Sequence, residues 1–188
     1  VLDTNEHIDN KGRMVFEQVQ RGIEFKDVWF AYKDEQFVLR NISLKIPAGH
    51  TIAMVGATGA GKSTIINLLS RFYEYNKGSI EIDGVNIRDY DLATLRKNTG
   101  VVLQDVYLFN DTILNNITLN NAEMSRETVI ESTREIGLYD YILSLPGGFD
   151  YRVTERGQSL SAGQRQLIAF IRAYVYKPSV FILDEATA

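Results

Sequence analysis

Gly56-Ala-Thr-Gly-Ala-Gly-Lys-Ser-Thr64 fits the pattern G-x-x-x-x-G-K-[ST]. Before it lies Thr51-Ile-Ala-Met-Val55, a short apolar run suited to a buried strand. After it Ile65, Ile66, Leu68, Leu69 and Phe72 recur at helical spacing. Strand, loop, helix is the order in which the pattern has a physical meaning. Gly56, Gly59 and Gly61 let the backbone wrap tightly with its N–H groups turned inward, and the helix adds the positive end of its dipole. The whole stretch Gly56, Ala57, Thr58, Gly59, Ala60, Gly61, Lys62, Ser63 and Thr64 then cradles the phosphates of a nucleotide, with Lys62 on the β/γ-phosphates and the Ser63 hydroxyl on Mg²⁺. A glycine-rich turn with a solvated lysine would satisfy the pattern alone. The two flanking elements decide for the nucleotide.

The chain has 188 residues and a hydrophobic fraction of 45%, enough for one domain with a core. A net charge of −4 and the lack of any Lys/Arg run argue against nucleic acid as a partner. The absence of cysteine excludes disulfides and thiolate metal sites. No apolar run approaches the roughly 20 residues of a membrane helix, and the first residues lack a signal-peptide pattern, so the chain itself is not expected to cross a membrane.

Residues 1–21 are polar and weakly patterned, with Asp9-Asn10-Lys11-Gly12 as a breaker, and read as a linker entering the domain. Ile23, Phe25 and Val28 to Phe30, then the alternating Ile42, Leu44 and Ile46, predict two β-strands. Ser79 to Asp83 and Val85 to Ile87 predict a hairpin about Asp83-Gly84. Val101 to Leu103 predicts a buried strand running into Gln104. Helices are expected at Ile113 to Leu119, at Ser125 to Ile136 with Ser125 as N-cap, and at Tyr139 to Leu143. Pro146-Gly147-Gly148 breaks this helical insertion. Ser161 then caps a helix with apolar Leu167, Ile168, Phe170, Ile171, Tyr174 and Val175 on one side, stopped by Lys177-Pro178. Val180 to Leu183 reads as a parallel strand ending at Asp184-Glu185.

An acidic residue closing an apolar strand is the usual companion of such a loop, because it holds the Mg²⁺ that bridges the β- and γ-phosphates. Asp184 fits, although a helix cap or solvated turn would look similar. Glu185, one residue further, is placed to polarise an attacking water as general base. Gln104, an amide beyond a strand end, suits binding Mg²⁺ or positioning that water; alone it would be an ordinary loop residue.

Taken in order, the loop, Gln104, Leu160-Ser-Ala-Gly-Gln-Arg-Gln166 and Phe181-Ile-Leu-Asp-Glu-Ala-Thr187 resemble the nucleotide-binding domain of an ATP-binding cassette (ABC) transporter, from Ile23 onward. Tyr32 matches the aromatic that stacks on adenine in that family, and Thr154-Glu-Arg-Gly157 resembles a stretch typical of exporters. The resemblance implies an α/β fold, a P-loop NTPase ABC ATPase core with a parallel sheet, an antiparallel β-lobe and a helical insertion at about residues 106–165. It implies ATP and Mg²⁺ as cofactors, with Ser63, Gln104 and Asp184 on the metal and Lys62, Gln104 and Glu185 catalytic. Residues 1–21 become the linker from a transmembrane domain of the same polypeptide, and 22–188 the nucleotide-binding domain, lacking its C-terminal part.

Ser161, Ala162, Gly163 and Gln164 open a helix, which is an anion site, yet the chain already holds its nucleotide at residues 56–64. The resemblance resolves this by pairing two such domains head to tail, identical or not, each signature covering the γ-phosphate held by the other. ATP binding closes the pair and hydrolysis reopens it, at the cytoplasmic face of the inner membrane. Two departures stand out. Ala162 replaces the signature's usual first glycine, and the aspartate loop and γ-phosphate histidine that follow in the family are absent; neither His7 nor His50 can substitute. A soluble ABC ATPase of the DNA-maintenance or translation type shares these motifs, and a non-catalytic nucleotide-binding module is a further alternative.

Overall fold

Strand β1 (Gly22–Ala31) lies at the heart of the first of two units into which the chain divides, residues 1–99 and 100–188. The computed structural model describes residue 8 and residues 10–154, 157 and 159–184. β1 pairs antiparallel with β2 (Phe37–Pro47) and with β3 (Lys77–Ile82), and β3 with the short β4 (Val85–Asn86), giving the order β2-β1-β3-β4. Period-two alternation buries Ile23 and Phe25; the register shifts before Val28, with Asp27 at φ 49°, and the shift restores Val28 and Phe30 to the buried face. The β3–β4 turn has φ 57° at Asp83 and 86° at Gly84, the left-handed pair that a two-residue hairpin needs.

Helix α1 (Lys62–Leu69) carries Ile66, Leu68 and Leu69 into this core, and α2 (Leu92–Lys97), capped by Asp91, adds Leu95. Residues 10–21, read as a linker, lie along the same unit. Phe16 is buried with its ring edge-on to Tyr90 at 5.3 Å, and Met14 bridges to Tyr90.

The structure departs from the sequence reading at residues 51–55, expected as a buried strand. They are exposed and belong to no strand. An apolar run says that a segment favours cover, not what covers it. A strand exists only through hydrogen bonds to a neighbour, and among the described residues none pairs with this one.

In the second unit β5 (Thr99–Val102) and β6 (Val180–Leu183) form a two-stranded parallel sheet. Between them run α3 (Ile113–Thr118), α4 (Arg126–Glu135), α5 (Tyr139–Ser144) and α6 (Ala162–Tyr174). Ile113, Ile117, Val129, Ile142, Phe149, Ile168 and Ile171 close one apolar core among them. Thr112, Ser125 and Ser161 cap α3, α4 and α6. Within the described residues no helix is long and apolar enough to cross a membrane.

Candidate functional site

The first unit carries the phosphate loop. Gly61 takes φ 89° directly before α1, and no side chain caps this helix, unlike α2, α3, α4 and α6. Its leading N–H groups therefore have no intrahelical acceptor, which suits them to an anion. A Cβ on Gly61 would stand 2.6 Å from Leu39 Cδ2, so any other residue here would have to push that side chain aside. Lys62 Nζ donates to the Gly56 carbonyl at 2.8 Å and the Ala57 carbonyl at 3.1 Å, which folds the ammonium back over the loop. Ala57 also accepts from the Ala60 N–H at 3.1 Å, closing the turn through Thr58 and Gly59. Ser63 is exposed and Thr64 buried. The loop thus gathers a cation, a hydroxyl and free N–H groups in one place, the donor set of a magnesium–triphosphate site.

Tyr32 follows β1 and keeps 40% of its surface exposed, so it is not a core residue. Its hydroxyl and Thr64 Oγ1 are 3.1 Å apart, so the aromatic is tied to the loop helix.

In the second unit Gln104 is exposed, two residues past the end of β5. The segment after it is anchored by residues that the sequence reading missed. Buried Asn116 accepts from the Phe109 N–H at 2.7 Å and donates to the Phe109 and Thr112 carbonyls at 2.9 and 3.0 Å. Arg172 donates to the Asn116 carbonyl at 2.7 Å and the Tyr107 carbonyl at 3.3 Å; burial lowers its pKa. An asparagine with arginine on a neighbouring helix carries no spacing signal, so only the structure brings them together.

Asp184 closes β6, its N–H donating to the Val102 carbonyl at 2.9 Å. Glu185 lies outside the described residues, as do Glu155 and Arg156 of the exporter-like stretch. The Ser161–Gln164 stretch opens α6 as expected, but as a capping box: Gln164 N–H donates to Ser161 Oγ at 3.2 Å and Ser161 N–H to Gln164 Oε1 at 2.8 Å. These two side chains are engaged with each other, while Ala162 is exposed and Gly163 half-buried beside them. His50 is exposed, its ring nitrogen 3.1 Å from the Ala48 carbonyl.

The ABC transporter family model matches residues 39–188. The chain is 48% identical, over all of its length, to the ATP-dependent lipid A-core flippase of Haemophilus influenzae strain 86-028NP and 44% identical to that of Escherichia coli K12. Among solved structures, a bacterial Atm1-family ABC exporter with ATP bound superposes with TM-score 0.86 at 39% identity over 93% of the chain. The chain spans about a third of these relatives: 32% of each flippase and 30% of the exporter. It belongs to the ABC transporter family.

Proposed function

We propose that this chain is the ATP-binding and ATP-hydrolysing motor unit of a membrane exporter, working as a head-to-tail pair at the cytoplasmic face of the inner membrane and joined to transmembrane segments. One observation carries the nucleotide reading: α1 starts uncapped behind Gly61, with Lys62 folded over the loop that precedes it. A triphosphate is the ligand that would draw Lys62 off the Gly56 and Ala57 carbonyls and satisfy the free N–H groups together. The exporter part rests on likeness to the flippases and to the exporter solved with ATP.

Bound Mg²⁺ would neutralise charge developing between the β- and γ-phosphates, and Ser63, Gln104 and Asp184 are the residues to hold it. Lys62 balances phosphate charge, Tyr32 offers its ring to adenine, and Glu185 takes the proton of the attacking water. The α6 N-terminus, at Ala162 and Gly163, faces the γ-phosphate of the nucleotide held by the other copy once the pair closes.

Replacing Lys62 with alanine tests the loop: Mg-ATP affinity measured by calorimetry is expected to fall about tenfold or more, with the circular dichroism spectrum unchanged. Undiminished affinity would exclude residues 56–64 as the site. In the full-length protein, Glu185→Gln is expected to keep ATP binding, accumulate the closed pair, and lower turnover about 10²–10⁴-fold. Parental turnover in that variant rules out Glu185 as the base.

A further inference from the structure

Tyr32 is held on several sides. The Phe30 ring meets it edge-on at 4.7 Å and 83°, and the Tyr73 ring at 4.9 Å and 90°; Phe30 and Tyr73 also touch, at 5.8 Å. The Tyr32 hydroxyl shares a hydrogen bond with Thr64 and accepts a longer one from Asn67 Nδ2 at 3.4 Å. Phe30 is 3% exposed, but Tyr32 and Tyr73 keep 40% and 38%. A tyrosine that only filled a core would be covered like Phe30. Tyr32 instead has a fixed orientation and surface left open, and two separate segments produce this: the end of β1 supplies Phe30 and Tyr32, and the stretch following α1 supplies Tyr73.

We propose that Tyr73 is the positioning residue of a base-binding platform: its ring, edge-on against Tyr32, fixes the Tyr32 face at the angle on which a purine stacks. This role rests on Tyr32 being the base partner of the nucleotide held at residues 56–64. An edge-to-face partner restricts how far a ring can tilt, so a face held ready loses less freedom when a base stacks on it. With Tyr73 truncated, Phe30 and Thr64 keep the Tyr32 ring nearby but free to rock. The base contribution then falls, while the triphosphate contribution, made by Lys62 and the loop N–H groups, does not.

The test is calorimetric titration of the full chain with Mg-ATP and, separately, with magnesium tripolyphosphate, which has no base. Tyr73→Leu is expected to weaken ATP about three- to tenfold and leave tripolyphosphate unchanged. Tyr73→Phe, which keeps the ring, restores ATP affinity. In a Tyr32→Ala background, Tyr73→Leu has no further effect. Equal weakening of both ligands would mean a merely structural role and overturn the proposal, as would unaltered ATP affinity in Tyr73→Leu or an effect that persists without Tyr32. If Tyr32→Ala alone leaves ATP affinity unchanged, the base assignment itself fails and the role of Tyr73 falls with it. If Tyr32→Ala weakens ATP and Tyr73→Leu does not, only the role of Tyr73 falls. Urea midpoints of every variant separate loss of fold from loss of platform.

Discussion

Gly59 and Gly61 both sit in the left-handed region, at φ 82° and 89°, yet their surroundings differ. A Cβ on Gly59 meets nothing within 4 Å, so Gly59→Ala bears the conformational penalty alone, about 1–2 kcal/mol. A Cβ on Gly61 also overlaps Leu39, which is 2% exposed and has little room to turn aside, so Gly61→Ala adds about 1–3 kcal/mol. Urea midpoints of the two variants measure the difference; equal losses would mean that Leu39 yields freely. Both glycines are legible from the sequence pattern, but which of them is pressed against β2 is not.

Arg71 was not legible at all. It is 1% exposed at the end of α1, donating to Glu74 at 3.0 and 3.1 Å and to the Ile87 and Tyr90 carbonyls at 3.2 Å. Glu74 in turn accepts from Arg88 at 2.6 Å. Nothing in spacing separates such an arginine from a solvated one. Truncation to methionine leaves those carbonyls without this donor and the carboxylate with one arginine fewer, for an expected loss of about 3–5 kcal/mol in urea unfolding. A loss under about 1 kcal/mol would place Arg71 with surface ion pairs.

At the scale of elements, the β3–β4 hairpin clasps the segment that enters β1. The Asp83 carboxylate accepts from the N–H groups of Gln20, Arg21 and Gly22 at 2.8, 2.6 and 2.9 Å, and Arg21 returns a bond to the Asp83 carbonyl. Burial pushes the Asp83 pKa up, but the backbone donors and the Arg21 charge outweigh it, and the net shift is below the ordinary 3.8. A folded pKa below the unfolded one gives stability that is fully present above about pH 4 and lost as pH falls through the lower folded value. Asn tolerates the left-handed backbone at this position and keeps an acceptor oxygen. Asp83→Asn is therefore expected to be less stable at neutral pH and to flatten the acid limb of a stability–pH curve. An unchanged acid limb would assign the acid sensitivity to other carboxylates.

The hairpin itself was legible because Asp83-Gly84 is a local signal, as were the caps at Ser125 and Ser161. Helix α2 went unread: it is short, and its Asp91 cap stands among the polar residues around it. The run at residues 51–55 misled for the opposite reason. Its apolar character is local, but pairing depends on neighbours far away in sequence.

For the whole molecule, composition suggests one core where the structure has two units, because hydrophobic content counts buried residues without saying how they group. Net charge bears directly on ligand binding. At −4 the chain exerts a repulsive field on a polyanion, so on the proposed reading the affinity for ATP comes from groups within a few ångströms: Lys62, the loop N–H groups, the Tyr32 ring and a bound divalent cation. Stabilisation by ligand should then depend on those groups and saturate by mass action. At 100 times its Kd, Mg-ATP adds about 2.7 kcal/mol, which for a chain of this size raises the Tm by about 5–11 °C. Lys62→Ala, its affinity lowered about tenfold or more, should show about half of that rise or less at the same ligand concentration. Hydrogen exchange locates the effect: the amides of α1 and β1 in the first unit should slow on adding Mg-ATP. A rise of equal size in Lys62→Ala, or protection that leaves α1 unchanged, would mean that ATP stabilises the chain from somewhere other than residues 56–64.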